Sequence, residues 1–151
     1  SFCVGPPRKS RRSTDSLKLI DANVLVYAVG ASHPYREHCL RVLERVAAGV
    51  IEANVDTEAW QELLHVYWYR GQVRLGLEYL SRLLVLFPDA LPITKETVLV
   101  AREVLYEYPA LDPRDAIHAA VVRLHDLEGI VSADKGFDQV REIKRFDPAE
   151  L

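Results

Sequence analysis

Apolar residues in this chain fall into short blocks and into longer stretches with helical spacing, a pattern typical of strands alternating with helices. The first short block, residues 17–27, is largely apolar with one acid near its middle. It predicts a buried strand over Lys18–Ile20 that ends at Asp21. Further strands are predicted at residues 50–55, 129–133 and 143–146, with a short extended piece at 90–93.

Apolar residues three and four positions apart predict the helices. The expected ranges are residues 34–49, 57–69, 73–87, 94–106, a helix that begins at Asp112 and Pro113, and a short helix at 137–140. Asp112 is a typical N-cap residue, and proline is favoured at the first helical position. Because strands and helices alternate, we expect an α/β fold with a small parallel sheet of four or five strands flanked by helices.

The bulk composition indicates one globular domain. The chain has 151 residues, of which 49% are hydrophobic and 27% charged, and its net charge of −3 argues against a simple nucleic-acid-binding module. The two cysteines give no disulfide framework and no apolar run approaches the ~20 residues of a membrane span, so we expect a cytoplasmic protein. We expect residues 1–16 to be a disordered basic arm or a remnant left from cloning, followed by one domain at 17–151.

Four acids fall where an α/β sheet can gather them. Asp21 and Asp134 directly follow predicted strands, Glu62 lies in the second turn of a helix that follows a strand, and Asp115 lies in the first turn of another helix. Active sites in open α/β sheets form beyond the carboxyl ends of the strands. All four carboxylates can therefore reach one edge of the sheet.

Such a cluster of carboxylates indicates a bound cation. Close carboxylates repel one another, and burial adds a desolvation cost that a cation offsets. Hard oxygen ligands favour Mg²⁺ or Mn²⁺ over zinc, and cysteine or histidine pairs with zinc-ligand spacing are missing from the sequence. A cation held in this way lowers the pKa of bound water, so hydrolysis of a phosphodiester is the natural reaction class.

Each acid also has an ordinary structural interpretation. Asp21 fits a turn at a strand end beside Asn23. Glu62 and Glu58 lie four residues apart on one helical face, and both fit an exposed acidic stripe. First-turn acids such as Asp115 complement the helix dipole. Asp134 fits a glycine-containing turn, while Asp138, four residues later, is either a helper ligand or a solvated acid.

Several further residues are candidates for supporting roles. Asn23 and Ser132 could orient water or groups behind the metal ligands, and Arg114 and Lys135 are candidates for contacts to RNA phosphates. Arg141, Lys144 and Arg145 are weaker candidates of the same kind. His118 lies three residues after Asp115, so it could lie at the edge of the site, but a surface or packing role is favoured for it. The aromatic helix at residues 60–69 fits either a dimer or partner surface or plain core packing.

Taken together, LIDANVLVYA, EAWQELLHVYW, LDPRDAIHAAVV and VSADKGFD resemble the PIN domain family, and most of all the VapC-type toxins of toxin–antitoxin pairs. The likeness covers about residues 17–151. It implies a three-layer sandwich with an acidic pocket for Mg²⁺ or Mn²⁺. The likeness also implies Asp21, Glu62, Asp115 and Asp134 as catalytic metal ligands, and it favours Glu62 over Glu58 because the family's glutamate precedes a leucine.

The resemblance also carries expectations about activity and partners. It implies an endoribonuclease acting on tRNA, rRNA or mRNA, a homodimer, and an antitoxin that covers the active site. The aromatic stretch after Glu62 and the basic arm depart from many toxins but leave all four acids in place. The alternatives are a housekeeping RNA-processing nuclease and a non-catalytic PIN-like module that binds RNA or protein.

Overall fold

A computed structural model describes residues 16–151, and its centre is a four-stranded parallel sheet. The strands follow the order β2-β1-β3-β4, so the first and third strands of the chain are the two central ones. They are β1 (Lys18–Ile20), β2 (Ala53–Asn54), β3 (Gly129–Val131) and β4 (Arg145–Phe146). The prediction of a small parallel sheet is therefore confirmed. The expectation for residues 1–15 lies outside the described residues.

Six helices flank the sheet in the described part of the chain. They are α1 (Ala22–Val29), α2 (Arg36–Ala47), α3 (Thr57–Tyr69), α4 (Val73–Leu86), α5 (Lys95–Glu107) and α6 (Pro113–Leu124). Two short 3₁₀ helices, Lys135–Gln139 and Pro148–Glu150, lie near the carboxyl end. In the part of the chain that the structure describes, no helix has the length and apolar character that crossing a lipid bilayer demands.

The alternation of side chains along the strands divides the core in two. Leu19 and Ile130 face one side, where they pack with α5 and α6. Ile20 and Val131 face the other side, where they pack with α1 to α4. Helices therefore cover both faces of the sheet, and the resulting three layers explain why the two central strands, β1 and β3, are the buried ones.

Helix α1 is the one long element that the sequence pattern does not predict. It begins directly after Asp21; four of its residues are buried and the other four are half-buried, so none is exposed. A helix buried in this way has no polar stripe, so its hydrophobic pattern resembles that of a buried strand. Tertiary packing overrides the β-branched residues of this segment.

Most other boundaries shift by one to three residues from the predicted ones. The three later strands are shorter than expected, and the extended piece at 90–93 contributes one bridge, between Leu91 and Asp56. The aromatic helix at residues 60–69 carries both buried and exposed rings. Tyr67 is buried in the core, whereas Trp68 and Tyr69 are 61% and 81% exposed. A partner role for the exposed pair stays a prediction.

Candidate active site

Asp21 lies at the junction between β1 and α1, and its carboxylate is nearly buried. Its extended backbone makes it the N-cap of α1, but its side chain makes no capping hydrogen bond and is directed elsewhere. Oδ2 accepts hydrogen bonds from Ser132 Oγ at 2.7 Å and from Asn23 Nδ2 at 3.2 Å. Burial raises the pKa of Asp21, and the negative charge of Glu62 adds to this, while His118 and Ser132 oppose it.

Ser132 is a fully buried residue that links two of the predicted acids. Its hydroxyl donates to Asp21 and accepts from the backbone N–H of Asp134 at 3.0 Å and from Asn23 Nδ2 at 3.1 Å. The side chain of Asp134 in turn accepts from the backbone N–H of Gly136 at 2.8 Å and caps the following 3₁₀ helix. The ends of β1 and β3 are therefore held together by one hydroxyl.

Asp115 lies in the first turn of α6. Asp112 caps this helix by accepting from the backbone N–H of Arg114 at 2.8 Å, which places the first turn beside the ends of the strands. Burial raises the pKa of Asp115 to about 7, and the negative charges of Asp21 and Asp134 contribute to the rise. The carboxylate is therefore poised to ionise near neutral pH when a cation compensates it.

Glu62 reaches the same region from α3. Asp56 caps this helix through a 2.9 Å hydrogen bond from the backbone N–H of Ala59 to its Oδ1. Glu58 lies one turn before Glu62 on the same helix. Burial and the charge of Glu62 raise the pKa of Glu58, but Glu58 is not among the residues that surround the pocket.

The four predicted acids converge on one cavity of about 250 Å³. The residues that surround this pocket are Asp21, Asn23, Glu62, Asp112, Arg114, Asp115 and Asp134. The acids come from four separate elements of the fold, and a cluster of this charge is favourable when a divalent cation occupies it. The predicted phosphate contact Arg114 also lines the cavity, whereas the other one, Lys135, is exposed outside it.

Asp138 lies in a different environment from the one predicted for a helper ligand. Its two carboxylate oxygens accept hydrogen bonds from Arg145, one from Nε at 2.8 Å and one from Nη2 at 3.2 Å. Neither residue lines the pocket. Arg145 also donates to the carbonyl oxygen of Ser132 at 3.1 Å, so this pair holds the loop that leads to Asp134.

His118 lies beside the acidic cluster, which the sequence interpretation gave only as the less favoured alternative. It is fully buried rather than at the surface, and its ring nitrogens lie 2.6 Å from Asp56 Oδ2 and 2.9 Å from Glu62 Oε1. Burial alone would lower the pKa of His118, but the charge and hydrogen bond of Asp56 and the contact with Glu62 raise it well above its ordinary value. The one available signal was a lone polar residue in the apolar stretch 116–122.

The donor atoms of this cluster suit a hard divalent cation. One ligand atom each from Asp21, Glu62 and His118 lies within 4.8 Å of the others, and the carboxylates of Asp115 and Asp134 face the same cavity. Carboxylate oxygens dominate the set, because Nε2 of His118 already contacts Glu62 Oε1 at 2.9 Å. The cluster therefore fits Mg²⁺ or Mn²⁺ better than a thiolate-seeking metal.

Known proteins resemble this chain both in sequence and in fold. The PIN domain family matches residues 18–143. VapC ribonuclease Mb1869c of Mycobacterium bovis is 35% identical over 128 residues, which cover 85% of this chain and 98% of that protein. Ribonuclease VapC7 of Mycobacterium tuberculosis is 29% identical over 134 residues, which cover 86% and 90%.

Solved structures of similar fold extend the comparison. FitAcB from Neisseria gonorrhoeae matches with a TM-score of 0.68 at 17% identity, covering 89% of this chain and 99% of that one. VapBC2 from Rickettsia felis, bound to a DNA fragment from its promoter, matches with a TM-score of 0.67 at 14% identity, covering 87% and 99%. The solved structures show a shared fold, and the sequence matches place the chain in the PIN domain family, with the VapC-type ribonucleases as its curated relatives.

Proposed function

We propose that this chain is an endoribonuclease that depends on Mg²⁺ or Mn²⁺ and acts as the toxin of a toxin–antitoxin pair. The observation that carries the proposal is the convergence of Asp21, Glu62, Asp115 and Asp134 on one cavity. Holding four carboxylates from separate elements close together costs free energy because they repel one another. A bound cation offsets that repulsion.

The chemistry follows from the charges around the cavity. A divalent cation supplies a bound water of lowered pKa and a counter-charge for the departing oxygen of a phosphodiester. Asp21, Asp115, Asp134 and Glu62 are the proposed cation ligands. Ser132 and Asn23 fix the orientation of Asp21 through hydrogen bonds. Arg114 lies in the same cavity, and its guanidinium is suited to a phosphate of the RNA backbone.

Relatives support the proposed substrate and partner. The curated relatives are named ribonucleases, which supports RNA as the substrate. A toxin–antitoxin complex from Klebsiella pneumoniae shares the fold with a TM-score of 0.64 at 20% identity, which supports a cognate antitoxin as the partner. The proposal further includes a homodimer, a cytoplasmic location and a single nuclease domain over residues 17–151.

A cleavage assay tests the proposed activity. Purified protein is incubated with total RNA in Mg²⁺, in Mn²⁺ or in EDTA, and the new RNA ends are mapped at nucleotide resolution. We expect discrete cuts that need the cation. Asp115→Asn should abolish them, while Glu103→Gln should not, because Glu103 is an exposed acid on α5 whose contact is with Arg102.

Two results would contradict the proposal in different ways. Cleavage by Asp115→Asn at the wild-type rate, or equal cleavage in EDTA, would remove the metal-dependent mechanism. Cleavage confined to the processing site of one RNA precursor, without growth arrest on expression, would replace the toxin role by RNA processing. A toxin is expected to arrest growth, and co-expression of its antitoxin should relieve the arrest.

A further inference from the structure

A buried histidine lies directly behind the wall of the acidic pocket. His118 is on α6, three residues after Asp115, so the two side chains lie on the same side of the helix. His118 is fully buried, and it is not among the residues that surround the cavity. It therefore contacts the acids from the protein side, while a cation would meet them from the cavity.

Both ring nitrogens of His118 face carboxylates. Nδ1 lies 2.6 Å from Asp56 Oδ2, and Nε2 lies 2.9 Å from Glu62 Oε1 and 3.6 Å from Asp21 Oδ1. An ionised carboxylate accepts hydrogen bonds and cannot donate them. When Asp56 and Glu62 are both ionised, each ring nitrogen donates, one to Asp56 and the other to Glu62.

Asp56 provides the fixed end of this arrangement. It is fully buried, and its two oxygens have separate partners. Oδ1 accepts from the backbone N–H of Ala59 and so caps α3, while Oδ2 accepts from His118. Helix α3 therefore fixes Asp56, Asp56 fixes the imidazole, and the imidazole fixes Glu62, which lies further along the same helix.

We propose that Asp56 and His118 are positioning residues, which hold the carboxylates of Glu62 and Asp21 in the orientation that binds the divalent cation. The proposal rests on the metal-dependent function proposed above. It differs from a ligand role for His118, because Nε2 is already engaged by Glu62 and the ring lies outside the cavity. Partners behind metal ligands commonly change metal affinity when they are removed.

Two substitutions of His118 separate its two hydrogen bonds. In His118→Asn the amide nitrogen replaces Nδ1 and can still donate to Asp56, but nothing replaces Nε2. In His118→Gln the longer side chain places its amide nitrogen near the position of Nε2, so it can still donate to Glu62. Both variants lose the ring and one hydrogen bond, so they form a matched pair.

A third variant tests Asp56 and has its own control. Serine is a good N-cap residue, so Asp56→Ser keeps the cap of α3 but is too short to reach His118. Glu58→Gln removes an acid from the same helix, close to Glu62, without touching a hydrogen bond of His118. The comparison therefore separates the loss of a charge from the loss of the contact.

The readout is the affinity for Mn²⁺, measured by the electron paramagnetic resonance signal of the free ion, with a thermal melt of each variant. We expect His118→Asn to bind Mn²⁺ about 10- to 100-fold more weakly than wild type. Asp56→Ser should bind more weakly than Glu58→Gln, and His118→Gln should stay close to wild type. A purely structural role would lower melting temperatures but leave the Mn²⁺ affinities equal.

Two outcomes overturn the proposal. One is wild-type Mn²⁺ affinity in both His118→Asn and Asp56→Ser. The other is a directly bonded ¹⁴N nucleus in the spin-echo spectrum of Mn²⁺ on the wild-type protein, since that would make His118 a ligand. Neither depends on cleavage. A wild-type protein that binds Mn²⁺ in the expected pattern but cuts no RNA would instead contradict the proposed function.

Discussion

The hydroxyl of Ser132 donates a 2.7 Å hydrogen bond to the carboxylate of Asp21, across 111 residues of sequence. The two residues follow the neighbouring strands β3 and β1, whose pairing ends with Ile20 opposite Val131. The backbone N–H of Asp21 also donates to the carbonyl of Val131 at 3.0 Å. The orientation of Asp21 is therefore set by the register of the two central strands.

The first prediction concerns a variant that lacks the Ser132 hydroxyl. Ser132→Ala takes away a donor to Asp21 and an acceptor for the backbone N–H of Asp134. We expect RNA cleavage to fall about 10- to 100-fold, and the free energy of unfolding to fall by about 1–3 kcal/mol because buried polar groups lose a partner. Single-turnover cleavage and urea denaturation measure the two effects.

Ser81→Ala is the matched control for that prediction. Ser81 is an exposed serine on α4 whose hydroxyl donates to a carbonyl of its own helix, that of Leu77. It should leave both quantities near the wild-type values. Unchanged cleavage in Ser132→Ala would mean that the hydroxyl does not position Asp21.

The second prediction concerns the repulsion among the acids. Asp115→Asn removes one of the charges that crowd the cavity, and burial together with Asp21 and Asp134 raises the pKa of this carboxyl to about 7. In EDTA at a pH above about 7, where the carboxyl of Asp115 is ionised, the variant should melt a few degrees above wild type, because a charged group is replaced by a neutral one of similar size. Saturating Mn²⁺ should then stabilise wild type more than the variant.

Glu103→Gln serves as the control, since it makes the same change of charge at an exposed position. Its melting temperature in EDTA should stay within the error of the wild-type value. A melting temperature of Asp115→Asn below that of wild type in EDTA would contradict a crowded cluster of charges.

The third prediction is the dependence of metal-free stability on pH. The folded pKa of Asp115, about 7, exceeds its ordinary value of 3.8, so unfolding releases a proton between these values and stability falls as pH rises through that window. The raised pKa of Asp21 acts in the same direction. Because the pKa of His118 is raised in the folded protein, its protonation adds stability that is complete below about pH 6.5. This stability is lost as the pH rises through the pKa of His118 in the folded state.

The measurement is urea denaturation in EDTA from about pH 5 to about pH 8. Four paired acids have a lowered pKa and stabilise the fold when ionised: Asp112, Asp138, Glu142 and Asp147. Their contribution to the free energy of unfolding is lost only below about pH 4, outside that range. Stability should therefore fall across the range, and Mn²⁺ should reduce or reverse the fall because it binds ionised carboxylates. A rise of metal-free stability towards pH 8 would be the opposite result.

The fourth prediction concerns the close approach of β3 and β4. A Cβ atom at Gly129 would collide with the carbonyl oxygen of Lys144, which is held by a 2.9 Å hydrogen bond from the backbone N–H of Ile130. Backbone pairing prevents this carbonyl from moving away, so Gly129→Ala should destabilise the protein strongly. Urea denaturation measures the loss of unfolding free energy.

Gly49→Ala is the comparison for that position. Gly49 follows α2 with a φ of +72° and has open space around it, so alanine there meets only the backbone strain of about 1–2 kcal/mol. Equal losses of unfolding free energy in the two variants would contradict the steric argument at Gly129.

The sequence predicts the acids at strand ends better than those on helices. Asp21 and Asp134 follow buried strands, and the rule that sites form at the carboxyl ends of strands brings these two acids together from the pattern alone. Glu62 and Glu58 share a helical face, so spacing does not choose between them. Glu62 lines the pocket because the rotation of α3 against the sheet directs it there.

The contact between Asp56 and His118 lies beyond what the sequence pattern can predict. The two residues are 62 positions apart, and their pairing depends on how α3 packs against α6. Helix α1 escapes prediction for a related reason, since a helix that is buried on several sides has no polar stripe. In both cases tertiary packing, not the local pattern, decides the outcome.

The strand order β2-β1-β3-β4 also bears on how the protein is made. The ribosome synthesises β1 long before its neighbour β3. Asp21 can therefore meet Ser132 and Asp134 only after the six helices that the structure describes have been translated. A polypeptide interrupted before β3 lacks part of the pocket. The pocket can therefore be complete only after β3 has left the ribosome, so the acids come together late in the synthesis of the chain.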